Sequence, residues 1–286
     1  MRRRALLSTG AAAASAALAG CLDAGPPTSN DSATTTHAGT DDDLARTTTD
    51  SSLDVSLSVD FERVQPGVLV MGIDSVGVRA NGSQYLFCHV GVTGGSPPAR
   101  SEFGFRYGGD VFAPVLDVGS GASLYRDTEG DDPQYSSARG SGWLLFELPP
   151  ERSAAHAAFV YGGREWPASE AIRQRLSRSE PELAVDWGLT DTQPEHSARL
   201  TFTVTNEGDA DTRFVAALNG ILVVGAHSPV TAFNREIPAG ETVSWTYTHD
   251  GGDPYVASTA AESDSYYRLT WPRGEDELYV AHASGE

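Results

Sequence analysis

From Leu53 onward the chain alternates. Leu53, Val55, Leu57, Val59 and Phe61 fall on one side of LDVSLSVDF, with polar residues between them. A period of two sends successive side chains to opposite faces of an extended chain, so this stretch predicts a half-buried β-strand. Tyr85–Val92 (YLFCHVGV), the residues around Phe103–Tyr107, Gly142–Pro149 and His156–Gly163 predict further strands, separated by loops rich in Gly, Pro, Ser and Asp. Residues 53–167 are therefore expected to form one antiparallel β-sandwich. A single helix breaks the pattern. ASEAIRQRLSRS at 168–179 follows Pro167, places Ile172 and Leu176 four apart and is closed by Pro181. That predicts a helical connector over 168–181, packed against one sandwich.

Beyond it alternation resumes. Leu183, Val185, Trp187 and Leu189 share a face; so do Leu200, Phe202 and Val204, then Val243, Trp245 and Tyr247, then Tyr267, Leu269 and Trp271. Short strands at this spacing, with NEGDAD and IPAG as turns, predict an immunoglobulin-like sandwich over 182–286. No strand–helix–strand rhythm occurs in either half, which argues against a two-lobed α/β binding protein. The expected class is all-β, with two antiparallel sandwiches joined by a short helix.

The first 52 residues read differently. Arg2, Arg3 and Arg4 precede an alanine-rich run, Ala5 to Gly20, too short and small-sided to span a bilayer of about 30 Å. This is the layout of an export signal. The paired arginines resemble a twin-arginine signal, which implies export in the folded state. Leu18-Ala19-Gly20-Cys21 resembles a lipobox, which implies cleavage after residue 20 and lipidation of Cys21. Residues 22–52 are dominated by Thr, Ser, Asp and other residues that build no core. Such a segment cannot offset its ordering entropy by burial, and is expected to be a disordered tether. Its threonine clusters suit O-glycosylation, and Asn30 and Asn81 head N-glycosylation sequons.

Charge adds a solvent. The chain carries 39 acidic residues against 20 basic ones, for a net charge of −19. Every basic residue is arginine. Carboxylates hold water and cations, whereas lysine's long apolar stem would add exposed hydrophobic area in brine, so the composition resembles that of a protein from an extreme halophile. In molar salt the Debye length falls to about 3 Å, and self-repulsion is largely screened. With no basic cluster to neutralise phosphates, nucleic acid is not an expected partner.

Catalytic patterns are missing. The chain has no G-x-S-x-G, no Walker loop, no dinucleotide fingerprint and no H-E-x-x-H among its seven scattered histidines. Cys88-His89 lacks the downstream methionine and histidine of a blue-copper site, and alternation turns Cys88 inward as a core thiol. If Cys21 carries lipid, no intrachain disulfide can form. Trp143, Trp187, Trp245 and Trp271 read as core. Two acidic loops supply hard oxygen donors: Asp127, Glu129, Asp131 and Asp132 in DTEGDDP, and Asn206, Glu207, Asp209 and Asp211 in NEGDAD. They are weak calcium candidates, since neither follows the EF-hand template. No cofactor is expected.

LTFTVTNEGDADTRFVAALNG followed by IPAGETVSWTYT resembles the extracellular immunoglobulin-like modules of archaeal and bacterial surface proteins. GSGWLLFELPPE resembles the closing strands of telokin-like lipoprotein domains, although the first half of this domain departs from their pattern. The whole chain looks like a haloarchaeal surface lipoprotein. These resemblances imply a lipid-anchored protein on the outer face of the cell membrane, acting as a non-enzymatic interaction or adhesion module. Its partners would be the membrane, through the anchor, and a surface protein or glycan. The alternative is an accessory, ligand-recruiting subunit of a transporter or extracellular enzyme.

Overall fold

The computed structural model describes residues 55–118, 123–124, 133–193, 196–223, 226–251 and 255–283. In chain order the elements are β1 (Ser56–Gln65), β2 (Val68–Met71), β3 (Val76–Arg79), β4 (Gln84–Gly94), β5 (Gly104–Tyr107), β6 (Asp110–Phe112), β7 (Ser123–Leu124), β8 (Ser141–Leu148), β9 (Ala158–Tyr161), β10 (Arg164–Pro167), α1 (Glu170–Leu176), β11 (Leu183–Leu189), β12 (Ser197–Asn206), β13 (Thr212–Val223), β14 (Ala226–Ile237), β15 (Thr242–Asp250), β16 (Tyr255–Ala257), β17 (Tyr266–Trp271) and β18 (Gly274–His282). The strands form five sheets whose ladders are antiparallel, so the protein is all-β.

Sheets β1-β4-β8 and β10-β9-β5-β6 enclose a first core. Leu86, Cys88, Phe105, Leu144, Phe146 and Phe159 are fully buried there, and Phe105–Phe146 rings meet at 5.6 Å. Helix α1 closes one end. Ser169 caps it by accepting from the Ile172 amide, and Ile172 and Leu176 turn into this core. Sheets β11-β12-β15 and β14-β13-β17-β18-β16 enclose a second core around Phe202, Phe214, Leu218, Tyr267 and Leu269. Trp187, Phe202 and Trp245 occupy one cross-strand row, stacked at 5.8 and 5.3 Å.

The fifth sheet, β3-β2-β7, lies outside both pairs and was not legible in the alternation, because its strands are too short to show a period. It changes the picture. Val68 faces Tyr85, Phe87, Trp143 and Leu145 on the back of β4 and β8. Leu69 and Val76, with Met71 and Val78, instead pack on Val215, Ala217 and Ala232 on the back of β13 and β14. Strand alternation thus gives β2 one face for each half of the protein. Strands β4, β8 and β13 are buried on both faces in their central residues. Continuous runs such as WLLF and FVAAL fit this covered position. Asn219 completes the join. Its Nδ2 donates to the Val76 carbonyl at 2.7 Å and its Oδ1 accepts from the Val76 amide at 2.9 Å, so one side chain imitates a strand partner.

Candidate functional site

Where the two halves meet, the surface folds inward. The local chemistry starts with three turns. Ala80–Ser83 is closed by the Ser83 amide on the Ala80 carbonyl at 2.8 Å, and both central residues take positive φ, 46° at Asn81 and 68° at Gly82. Asn-Gly is the pair that tolerates this type I′ geometry. The Ser83 hydroxyl donates to Glu147 at 3.1 Å and Arg79 pairs with the same carboxylate at 2.8 Å, which fixes the turn. Trp271–Gly274 is a two-residue turn with Pro272 and Arg273 at its tip. A Cβ at Gly274 would lie 2.5 Å from the Trp271 ring, so the tryptophan folds flat only over glycine. Pro272 in turn lies against Gly67, after β1. The third segment follows α1, carrying Arg178, Glu180 and Pro181.

These turns line a small cleft of about 70 Å³, with Ser83, Gln84, Glu151, Arg178, Glu180, Pro272 and Arg273 in its walls. It shares Pro66, Glu180, Pro272 and Arg273 with a neighbouring cavity of about 350 Å³, to which Glu182, Arg213 and Trp271 contribute. Glu180 is occupied: it accepts from Arg175 and from the Thr212 hydroxyl. Arg213 donates to Asn234 at 2.6 Å with Glu236 at 3.7 Å, and burial pushes its guanidinium below the usual value while remaining cationic. Arg178 and Arg273 are different. Their guanidinium groups have no partner among the described residues. Gln84 lines the same cleft, 5% exposed; its Nε2 is held by the carbonyls of Pro149 and Leu176, and its buried Oε1 receives no hydrogen bond.

The residues singled out from the sequence fall elsewhere. Cys21, Asn30, Asp127, Glu129, Asp131 and Asp132 lie outside the described residues. Asn81 is exposed on its turn, between two residues, Ala80 and Gly82, that line the cleft. Cys88 is wholly buried, and desolvation pushes its thiol far above the ordinary value. In the NEGDAD loop, Asn206 is consumed by the fold. Its amide donates to the Ala210 and Ile237 carbonyls and accepts from Gly208, while Asp211 accepts from the Ala239 amide. No group of three or more His, Cys, Asp or Glu residues able to hold a metal occurs among the described residues. Trp271 packs on the second core yet also lines the cleft, a double position that its strand alternation did not reveal. Gln84, Arg178 and Arg273 carry no motif. Only the W-P-R-G turn signal could have pointed to one of them.

Set against known protein families and curated proteins, the chain matches no family model and no curated sequence.

Proposed function

We propose that this is an exported lipoprotein of a halophile, held on the extracellular face of the cell membrane through Cys21. On this reading residues 1–21 are a twin-arginine-type signal, 22–52 a glycosylated tether, and 53–167 and 182–286 two sandwiches, the second immunoglobulin-like. The protein acts as a non-enzymatic interaction or adhesion module. The observation that carries the reading is LAGC at residues 18–21, in register behind three arginines and a small-residue run. The second thiol, Cys88, is buried in the first core, which leaves Cys21 as the candidate for lipid. A joined body with both cores stitched through β2 and β3 suits a part that must hold its shape on a stalk.

The test is fractionation. Wild-type protein is expected in the membrane and in the detergent phase. Cys21→Ser is expected in the medium or the aqueous phase, and its persistence in the detergent phase would refute the anchor. The ligand-recruiting reading is favoured by one observation, the cleft with its two unpaired arginines.

A further inference from the structure

We propose that the outer face of sheet β11-β12-β15 is a self-association surface, on which two copies of this chain pack about a two-fold axis. The inference deepens the interaction-module reading, on which it rests, by naming the partner. Alternation sends Val185, Trp187, Phe202 and Trp245 into the second core and leaves the even positions of β11 and β15 and the odd positions of β12 outside. The outer positions of β12 and β15 carry hydroxyls in cross-strand pairs: Thr205 with Thr242, Thr203 with Ser244, and Thr201 with Thr246. The first two pairs bond side chain to side chain, at 2.8 and 3.0 Å. On β11 the outer residues are Ala184, Asp186 and Gly188. The charges of the face are Asp186, Arg199 and, at the end of β15, Asp250. In a chain of net charge −19, a face so poor in carboxylates is where two copies approach with least repulsion.

The placement of the charges points to a second copy. Asp186 stands opposite Thr203 and Gly188 opposite Thr201, while Arg199 lies two residues beyond Thr201 on β12. The row Gly188–Thr201–Thr246 therefore runs between Asp186 and Arg199, one step of the outer face from each. Within one chain the two are about 13 Å apart along the strands, too far to pair. Neither side chain has a partner among the described residues. A two-fold axis laid along that row carries Asp186 of each copy onto Arg199 of the other, so the ion pair forms twice. Hydroxyls both donate and accept, so the threonine rows can satisfy their own image across the same axis. Gly188 lies on the axis, and a Cβ there would meet no atom of its own chain within 4 Å, so nothing obstructs the centre of the face. Three strands about 4.8 Å apart and roughly 30 Å long give about 400 Å², half of what each partner of a standard interface covers. Contact of that size is weak in solution and gains where a common membrane concentrates the copies.

The experiment is sedimentation equilibrium of the full-length Cys21→Ser protein in molar potassium chloride, so that neither lipid nor detergent takes part. A monomer–dimer equilibrium is expected, with a dissociation constant below about 1 mM. Asp186→Arg and Arg199→Asp should each weaken the dimer about tenfold or more, and the double reversal should restore it to within about threefold of the starting protein. Both side chains are exposed, so these variants should melt with the parent. Gly188→Glu, whose side chain starts into open space in the monomer, should abolish the dimer by bringing two carboxylates to the axis. Monomers alone at about 1 mM, trimers or open polymers, or a double reversal no better than the single ones would each overturn the proposal. Retention of a monomeric protein on a dextran matrix, lost in Gly188→Glu, would give the face to a glycan and overturn it as well. A membrane-anchored protein whose Cys21→Ser form stays monomeric would refute this inference alone. A protein that dimerises in the charge-dependent way, yet stays in the cytosol, would uphold it and refute the surface reading.

Discussion

Cys88 and His249 show how burial sets chemistry within this protein. The Cys88 thiol is fully enclosed beside Leu86 and Val90, and ionising it there would place an unpaired charge in an apolar core. A maleimide reagent is therefore expected to leave Cys88 unlabelled in the native Cys21→Ser protein and to label it fully in denaturant. Labelling at comparable rates in both states would contradict the buried position. His249 is half-buried with its Nδ1 2.9 Å from the Tyr267 hydroxyl, and burial lowers its pKa while neighbouring Asp250 pulls the other way. A histidine with a depressed folded pKa favours folding while neutral. Its contribution is present above the unfolded value of about 6.5 and is lost as pH falls through the lower folded value. Urea titrations from pH 7.5 to 4.5 should show stability declining through that window, and His249→Gln should flatten the decline.

The β2–β3 hairpin is the element on which the two halves depend. Leu69 is 3% exposed between the hairpin and β13, and Leu69→Ala should cost about 2–5 kcal/mol in chemical denaturation. Asn219→Leu keeps a similar volume but strands the Val76 amide and carbonyl without partners, a loss of about 2–4 kcal/mol. Because both cores lean on this hairpin, calorimetry should find a single transition in the wild type and a shoulder in Asn219→Leu. Identical single transitions in both would remove the hairpin's coupling role. The hairpin was also the least visible part of the chain. VLVM and VGVR are four-residue runs, too brief to declare a period, and nothing in them says which sheet they will cover.

Taken as one body, the protein is a strongly charged object whose stability is tied to its solvent. At net charge −19, lowering salt from molar to about 0.1 M lengthens the Debye length from about 3 to about 10 Å and restores repulsion between distant carboxylates. The melting temperature should fall on dilution into low salt and recover when potassium chloride is restored. A melting temperature indifferent to salt would refute the halophilic reading of the composition.

Much of this architecture could be read directly from the chain. Alternation is a property of neighbouring residues, because the pleat turns each side chain opposite to the last; β1, β12, β15 and the inward turn of Cys88 follow from it. Pro167, Ile172, Leu176 and Pro181 likewise mark a short helix through local rules of spacing and termination. The folded arrangement alone brought together positions that no local rule connects. Val76 and Asn219 meet 143 residues apart, and Gln84, Arg178 and Arg273 converge on one cleft from a strand, a helix exit and a hairpin tip. The physical reason is that a period constrains the face of one strand, whereas the burial of its second face depends on which sheet is laid across it.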